Sequence, residues 1–356
     1  MPLPHVCECH SVEPPQLGPV LQLAVRPASA RVARQFGLLL QAHDLPFEVQ
    51  GPVMTFGAEH LVRIQTVLTA MTEMDKQGLP AIPVTAEGPQ VYELQPLQVW
   101  VHRLSTSWFA EATRHLVFCA QPIVHTGSGE IYGYEALVRA RLDARHWNAG
   151  ELLAAASAHR QARGFDALAR TTAIRQLYPR LAPGQRLFIN FAPGVVYNPD
   201  ICLQTTFEAC REVGADFSRL VFEITEGEAF PDLPLLRSIL ERYRQEGAQV
   251  ALDDVGSGQT SLAYLDELRP DIVKLDRSLV RGLPGSGPGM RLLSALTGYA
   301  HDLGSLVVAE GIEQAEELAA VRSAGVDLVQ GFFLGRPAET LQGLRQEARS
   351  CWSNLQ

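Results

Sequence analysis

The sequence predicts an α/β protein, a (β/α)8 TIM-like barrel preceded by a small α/β N-terminal domain. Three observations carry that expectation. From Val117 onward, short β-rich apolar runs alternate with amphipathic helical runs to the end of the chain, a rhythm that fits a barrel better than an open sheet. No glycine-rich dinucleotide fingerprint follows any strand, which weighs against a Rossmann sheet. Residues 1–105 lack this regularity, and 356 residues suffice for one large domain and a smaller one.

In chain order, Cys7-Glu8-Cys9-His10 offers three metal donors, but no second pair follows and the spacing is not that of a zinc knuckle. A frayed terminal segment is the blander reading. Val20–Val25 reads as a strand, Ala28–His43 as an amphipathic helix, Phe47–Phe56 as β and Leu61–Met74 as helix. This first domain, 1–105, carries no recognisable constellation; a regulatory or packing role is the expectation. Leu97–Leu116 reads as one helix, whose part 106–116 connects to the barrel domain, 117–356.

The barrel opens with a hairpin, Val117–Val124 and Tyr132–Arg139 around Thr126-Gly127-Ser128-Gly129. Helices are expected over 149–162, 166–180, 203–213, 232–246, 260–267, 289–303, 314–324 and 338–348. Strands are expected over 186–192, 220–225, 249–255, 271–276, 305–312 and 326–334.

Composition bounds the function. With 46% hydrophobic and 19% charged residues the chain is an ordinary globular protein, and a net charge of −9 argues against a binder of nucleic-acid polymers or anionic membranes. A small anionic substrate stays compatible if bound cations reverse the local sign. Six scattered cysteines form no disulfide framework, and no run approaches a membrane span, so a soluble, cytoplasmic setting is expected.

The chemistry lies in polar breaks within the apolar strands. Glu135 interrupts Ile131–Arg139, and the anomaly recurs at Asn190, Glu223, Asp253-Asp254, Lys274, Glu310 and Gln330. An ionised carboxylate is costly to bury unless paired or bound to a cation. One break is noise; a series near the carboxyl ends of barrel strands reads as a site. Carboxylate and amide oxygens suit hard divalent cations such as Mg²⁺ or Mn²⁺. Asp253 and Asp254 can share one site only where the strand ends, and Val255-Gly256-Ser257-Gly258 supplies that turn. A carboxylate there can bridge two metals about 4 Å apart, the geometry of in-line attack on phosphorus. Lys274, a cation within an apolar strand, is expected to have a lowered pKa near two metals and to orient or deprotonate water, or to neutralise phosphate charge. A structural salt bridge to Asp254 or Asp276 is its plainer reading.

In that order the motifs resemble the EAL domain family of cyclic di-GMP phosphodiesterases: Gln121-Pro122-Ile123-Val124, Glu135-Ala136-Leu137-Val138-Arg139, Asn190, Glu223-Ile224-Thr225-Glu226, Asp253–Gly258, Asp271–Asp276, Ala309–Glu313 and Gln330-Gly331-Phe332. The resemblance covers about 117–348 and implies hydrolysis of cyclic di-GMP to linear pGpG with two divalent cations, Mg or Mn, in a barrel that dimerises in related bacterial signalling proteins. It implies Glu135, Asn190, Glu223 and Asp253 around one metal and Asp253 with Asp254 at the second, Glu310 and Gln330 positioning water, and Lys274 beside the nucleophile. Glu226 would brace the loop after Asp254. Gln121 and Arg139 would meet phosphate or nucleotide, and Leu137, Asp166 and Pro337 would frame a guanine. Val255, Ser257 and Ala192 depart from the usual Phe, Thr and Ser, and none removes a ligand. A catalytically silent cyclic di-GMP receptor signalling through the N-terminal domain is the alternative. A third reading makes the barrel a dimeric scaffold for a partner protein.

Overall fold

The structure, a computed structural model, describes residues 18–225, 233–257, 262–283 and 287–353. It divides into two compact units. One holds the described residues up to Arg114 together with 150–162, and the other holds 115–149 and the described residues from 163 onward.

In the first unit, β1 (Gln22–Val25), α1 (Ala30–Ala42), β2 (Glu48–Gln50), β3 (Val53–Gly57), α2 (Leu61–Thr69), α3 (Glu73–Gln77) and β4 (Pro80–Thr85) follow one another. The antiparallel order β2-β3-β1-β4 is that of the βαββαβ ferredoxin-like unit. Two-residue strands β5 (Gly88–Pro89) and β6 (Gln95–Pro96) extend it beside β4. Leu23, Val25, Phe36, Leu40, Ile64, Val67 and Trp100 form its core. Ser29 caps α1 by accepting from the Val32 N–H, satisfying a donor that the first turn leaves free.

The helix expected over Leu97–Leu116 is broken into α4 (Leu97–Ser105) and α5 (Phe109–Ala112). Thr106 ends α4, its hydroxyl donating to His102 O. Helix α6 (Ala149–Ala158), read in sequence as a barrel helix, goes with this first unit from residue 150 onward. Just beyond it, His159 Nε2 lies 3.0 Å from Thr106 O and its ring stacks on Phe109.

The second unit is a closed barrel. Its strands are β7 (Leu116–His125), β8 (Ile131–Leu142), β10 (Arg186–Phe191), β11 (Leu220–Thr225), β12 (Gln249–Val255), β13 (Ile272–Leu275), β14 (Leu306–Ala309) and β15 (Leu328–Gln330); β9 (Arg145–Trp147) extends β8 outside the ring. Pairing of β8 with β10 closes the ring. Strand β7 runs antiparallel to both its neighbours, because the tight hairpin turn returns the chain directly into β8 without a crossover helix.

Outside the ring lie α7 (Ala162–Leu177), α8 (Pro199–Cys202), α9 (Gln204–Glu212), α10 (Leu233–Gln245), α11 (Leu262–Leu268), α12 (Arg277–Val280), α13 (Gly287–Asp302), α14 (Ala315–Ser323) and α15 (Gln346–Ser353). The helix expected over 338–348 is displaced to α15. Ala338 instead exchanges both backbone hydrogen bonds with Ala120, which keeps that stretch extended along β7. The last strand likewise stops at Gln330, after which Gly331 begins a turn.

Inside the barrel, Phe188, Val221, Ala251, Ile272, Val308 and Leu328 belong to one apolar cluster. Two residues further along the same strands or just past their ends stand Asn190, Glu223, Asp253, Lys274, Glu310 and Gln330. Side chains alternate with a period of two, so the apolar plug and the polar crown above it face the same interior.

Candidate functional site

The crown is centred on Lys274, whose side chain is only 1% exposed. Its Nζ lies 2.7 Å from Glu223 Oε1, 2.7 Å from Glu310 Oε1, 3.0 Å from Asp253 Oδ1 and 3.9 Å from Glu135 Oε2. At these distances the ammonium is paired with several carboxylates at once. Asp254 and Asp276, the partners considered from sequence, are not among those ion pairs.

Asp253 and Asp254 occupy a β-bulge. The β12–β13 register passes from Leu252↔Val273 to Val255↔Leu275, leaving two residues opposite Lys274 alone. Asp254 takes a left-handed φ of +58° and donates its N–H to Asp253 Oδ1. That conformation is uncommon for a residue with a side chain and marks a backbone held by its surroundings. It is also what brings adjacent aspartates to one cavity. Gly256 follows at φ +101°, where a Cβ would lie 2.4 Å from Leu279 Cδ1.

Asn190 Nδ2 donates to Glu135 Oε1 at 3.1 Å and lies 3.5 Å from Glu223 Oε2. Gln330 Nε2 donates to Glu135 Oε2 at 2.6 Å and to Gln121 Oε1 at 3.2 Å, and Gln121 in turn donates to Gly335 O.

Electrostatically the site is overloaded with acid. Burial raises Glu223 well above the ordinary carboxyl value, raises Asp253 and Asp254, and lifts Glu310 to about 8, with neighbouring carboxylates adding to each. Burial alone would lower Lys274, yet Asp253, Glu135, Glu223 and Glu310 together hold it well above the usual lysine value. The lowered lysine expected from sequence presupposes two bound cations; without them four carboxylates outweigh desolvation, and Lys274 stays an ammonium.

Two sets of carboxylates have one oxygen each within 4.8 Å of one another: Glu135, Glu223 and Asp253, and Asp253, Asp254 and Glu310. Asp253 belongs to both. The buried Gln330 Oε1 has no hydrogen-bond partner, which is the condition of an oxygen left for a cation or its water. The donor set fits two hard cations.

A cavity of about 260 Å³ opens above the crown, lined by Gln121, Glu135, Asp253, Asp254, Glu310 and Gln330. Arg277, Gly311, Glu313, Gly331 and Phe332 complete it. Arg277 was not among the residues singled out from sequence, although it directly follows the Asp271–Asp276 strand end; Phe332 closes the Gln330-Gly331-Phe332 motif. Glu313 faces Arg277 at 3.8 Å.

The remaining candidates lie outside that lining. Leu137 and Arg139 sit half-buried further along β8, Arg139 donating to Val138 O. Pro337 is half-buried beside the Ala338 bridge. Asp166 is buried in α7, with Oδ1 accepting from the Ala192 N–H at 3.0 Å and Oδ2 from Arg170. Glu226, Cys7, Cys9 and His10 lie outside the described residues.

An acid-crowned barrel with a buried lysine and paired aspartates on a bulge defines a class of barrel proteins. The chain belongs to the EAL domain family, which it matches over residues 106–337. It is 31% identical over 225 residues to the cyclic di-GMP phosphodiesterase NbdA of Pseudomonas aeruginosa, covering 61% of this chain and 28% of that one. A standalone EAL protein from Vibrio cholerae in its c-di-GMP-bound form superposes with a TM-score of 0.57 at 33% identity, over 65% of this chain and 96% of that one. The calcium/cy-diGMP complex of Klebsiella pneumoniae BlrP1 shares the fold over 91% of this chain and 98% of its own, with a TM-score of 0.59 at 21% identity. The chain spans only 19% of one and 40% of another of the curated relatives it matches. Among the described residues no helix is long and apolar enough to cross a membrane.

Proposed function

We propose that this protein hydrolyses cyclic di-GMP to linear pGpG with two divalent cations, Mg²⁺ or Mn²⁺. The observation that carries the proposal is the pair of carboxylate sets sharing Asp253. Glu135, Glu223, Asp253, Asp254 and Glu310 stand against the single ammonium of Lys274, a surplus of four negative charges when all are ionised. Two dications carry the charge that balances it, and buried charges require such partners. The names of NbdA and of the c-di-GMP-bound Vibrio structure supply the substrate class.

In this reading Glu135, Glu223 and Asp253, with the Asn190 amide turned to present its oxygen, hold one cation. Asp253, Asp254 and Glu310 hold the other. Bound cations would supply Lewis acidity toward the phosphodiester and toward water. The protein's own groups set the stage. Lys274 acts as a fixed charge that keeps three carboxylates converged, rather than as a base. Gln330 ties Glu135 to Gln121 and fixes the orientation of both, leaving its Oε1 to steer water. Arg277 places positive charge at the mouth of an acidic cavity, where an anionic substrate enters. Arg139, Leu137, Asp166 and Pro337 are proposed as the nucleotide-facing set and Glu226 as the loop brace.

The test is turnover of cyclic di-GMP by Glu135→Ala and Asp253→Ala proteins at saturating Mg²⁺ or Mn²⁺. Loss of at least about 100-fold is expected, since each variant removes a cation ligand. Wild-type turnover in both would sink the proposal.

A further inference from the structure

Arg170, on α7, is fully buried, with 2% of its side chain exposed, and takes no part in the acidic crown. Its guanidinium donates to Asp166 Oδ2 and, at 3.2 Å, to Thr206 Oγ1, and it lies 5.0 Å from the centroid of the Phe191 ring. The other oxygen of Asp166 accepts from the Ala192 N–H. Phe191 and Ala192 are the two residues after Asn190. One ion pair therefore grips the end of β10 twice, through a ring face and through a backbone donor. Asn190 itself, one residue earlier, reaches Glu135 and Glu223.

Stability does not account for this arrangement. A buried ion pair is often neutral or worse compared with apolar residues of similar volume replacing both partners. What the pair provides and a methionine could not is a directed, charge-assisted hold on a carboxylate that in turn holds the backbone at residue 192.

We infer that Arg170 is a positioning residue: through Asp166 and Phe191 it fixes the carboxyl end of β10 and hence the aim of Asn190 into the carboxylate set of Glu135, Glu223 and Asp253. The consequence for cation affinity rests on the phosphodiesterase reading above; the consequence for backbone order does not. Asp166 then serves as a brace, with only its remaining lone pairs free for a base.

Arg170→Met and Arg170→Lys test this in the full-length protein by two readouts. Hydrogen exchange followed by mass spectrometry reports the Ala192 N–H with no cation present. Calorimetric titration with Mn²⁺ alone reports affinity. Expected are faster exchange in the peptide spanning 190–192 and about 10-fold weaker Mn²⁺ binding in Arg170→Met, as for outer partners of metal ligands. Arg170→Lys, which retains the charge, should show a smaller change in the same direction. Combining Arg170→Met with Asn190→Ala should weaken Mn²⁺ binding no further than Asn190→Ala alone, the signature of one shared pathway. Unchanged exchange at 190–192 in both Arg170 variants would overturn the inference. A wild-type protein that binds no Mn²⁺ would overturn the phosphodiesterase reading instead, and the exchange result would still decide the role of Arg170.

Discussion

Stripped of cations, the crown should make the barrel less stable as pH rises. In the folded chain Glu310 titrates at about 8 against an ordinary 4.5. Between those values the folded protein keeps a proton that the unfolded chain has released. The folded state thus binds more protons, and stability must fall with increasing pH. Each retained proton contributes a slope of about 1.4 kcal/mol per pH unit, so the whole displacement amounts to roughly 5 kcal/mol, a large part of a domain's stability. Glu223, Asp253 and Asp254 are displaced upward too and steepen the fall. Lys274, raised above its ordinary value, contributes stability that is lost only at alkaline pH above this window. Asp75, Glu212 and Asp216, held low by hydrogen bonds, act below it. The assay is urea unfolding at pH 5, 6, 7 and 8 in EDTA, followed by tryptophan fluorescence. Glu310→Gln should flatten the curve, and saturating Mg²⁺ should reverse its slope by competing with the protons. Stability that stays level or rises with pH in EDTA would refute the electrostatic account.

Three further outcomes follow from the same geometry. Asp253→Asn, which removes the carboxylate common to both sets, should abolish Mn²⁺ binding in calorimetry as well as lower turnover at least about 100-fold. Arg277→Ala should raise KM for cyclic di-GMP about 10-fold with kcat changed far less, because the side chain lines the cavity mouth but touches none of the crown carboxylates apart from facing Glu313. Gly331→Ala should lower stability by about 3 kcal/mol or more in urea unfolding, since its Cβ would sit 2.1 Å from Ile312 O and 2.2 Å from Ile312 N, backbone atoms with nowhere to go.

Much of the barrel was legible because strand periodicity and function point the same way. An acid two residues past an apolar core position must face the same interior, so Glu223, Asp253 and Glu310 announced both their strands and their site. The adjacent aspartates implied a strand end; the strand instead runs on to Val255, and a bulge between Leu252 and Val255 brings the two together. Other features depend on contacts that no local pattern encodes. Strand β4 was missed because Pro80 and Pro83 argue against a strand; on its outer side it pairs only with the two-residue strands β5 and β6, which ask little of its donors. The rise in Lys274 basicity is a sum over four carboxylates from separate strands. That α6 belongs to the N-terminal unit, and that Arg170 sits behind Asn190, are matters of tertiary placement. Arg277 carried a signal only in hindsight of the cavity it lines, lying just beyond a motif already singled out.

The central claim is tested most directly by chromatography of cyclic di-GMP incubated with the purified protein in Mg²⁺, in Mn²⁺ and in EDTA. The account predicts pGpG with either cation and none in EDTA. Nucleotide that binds yet stays intact under all three conditions would contradict it and make this chain a receptor.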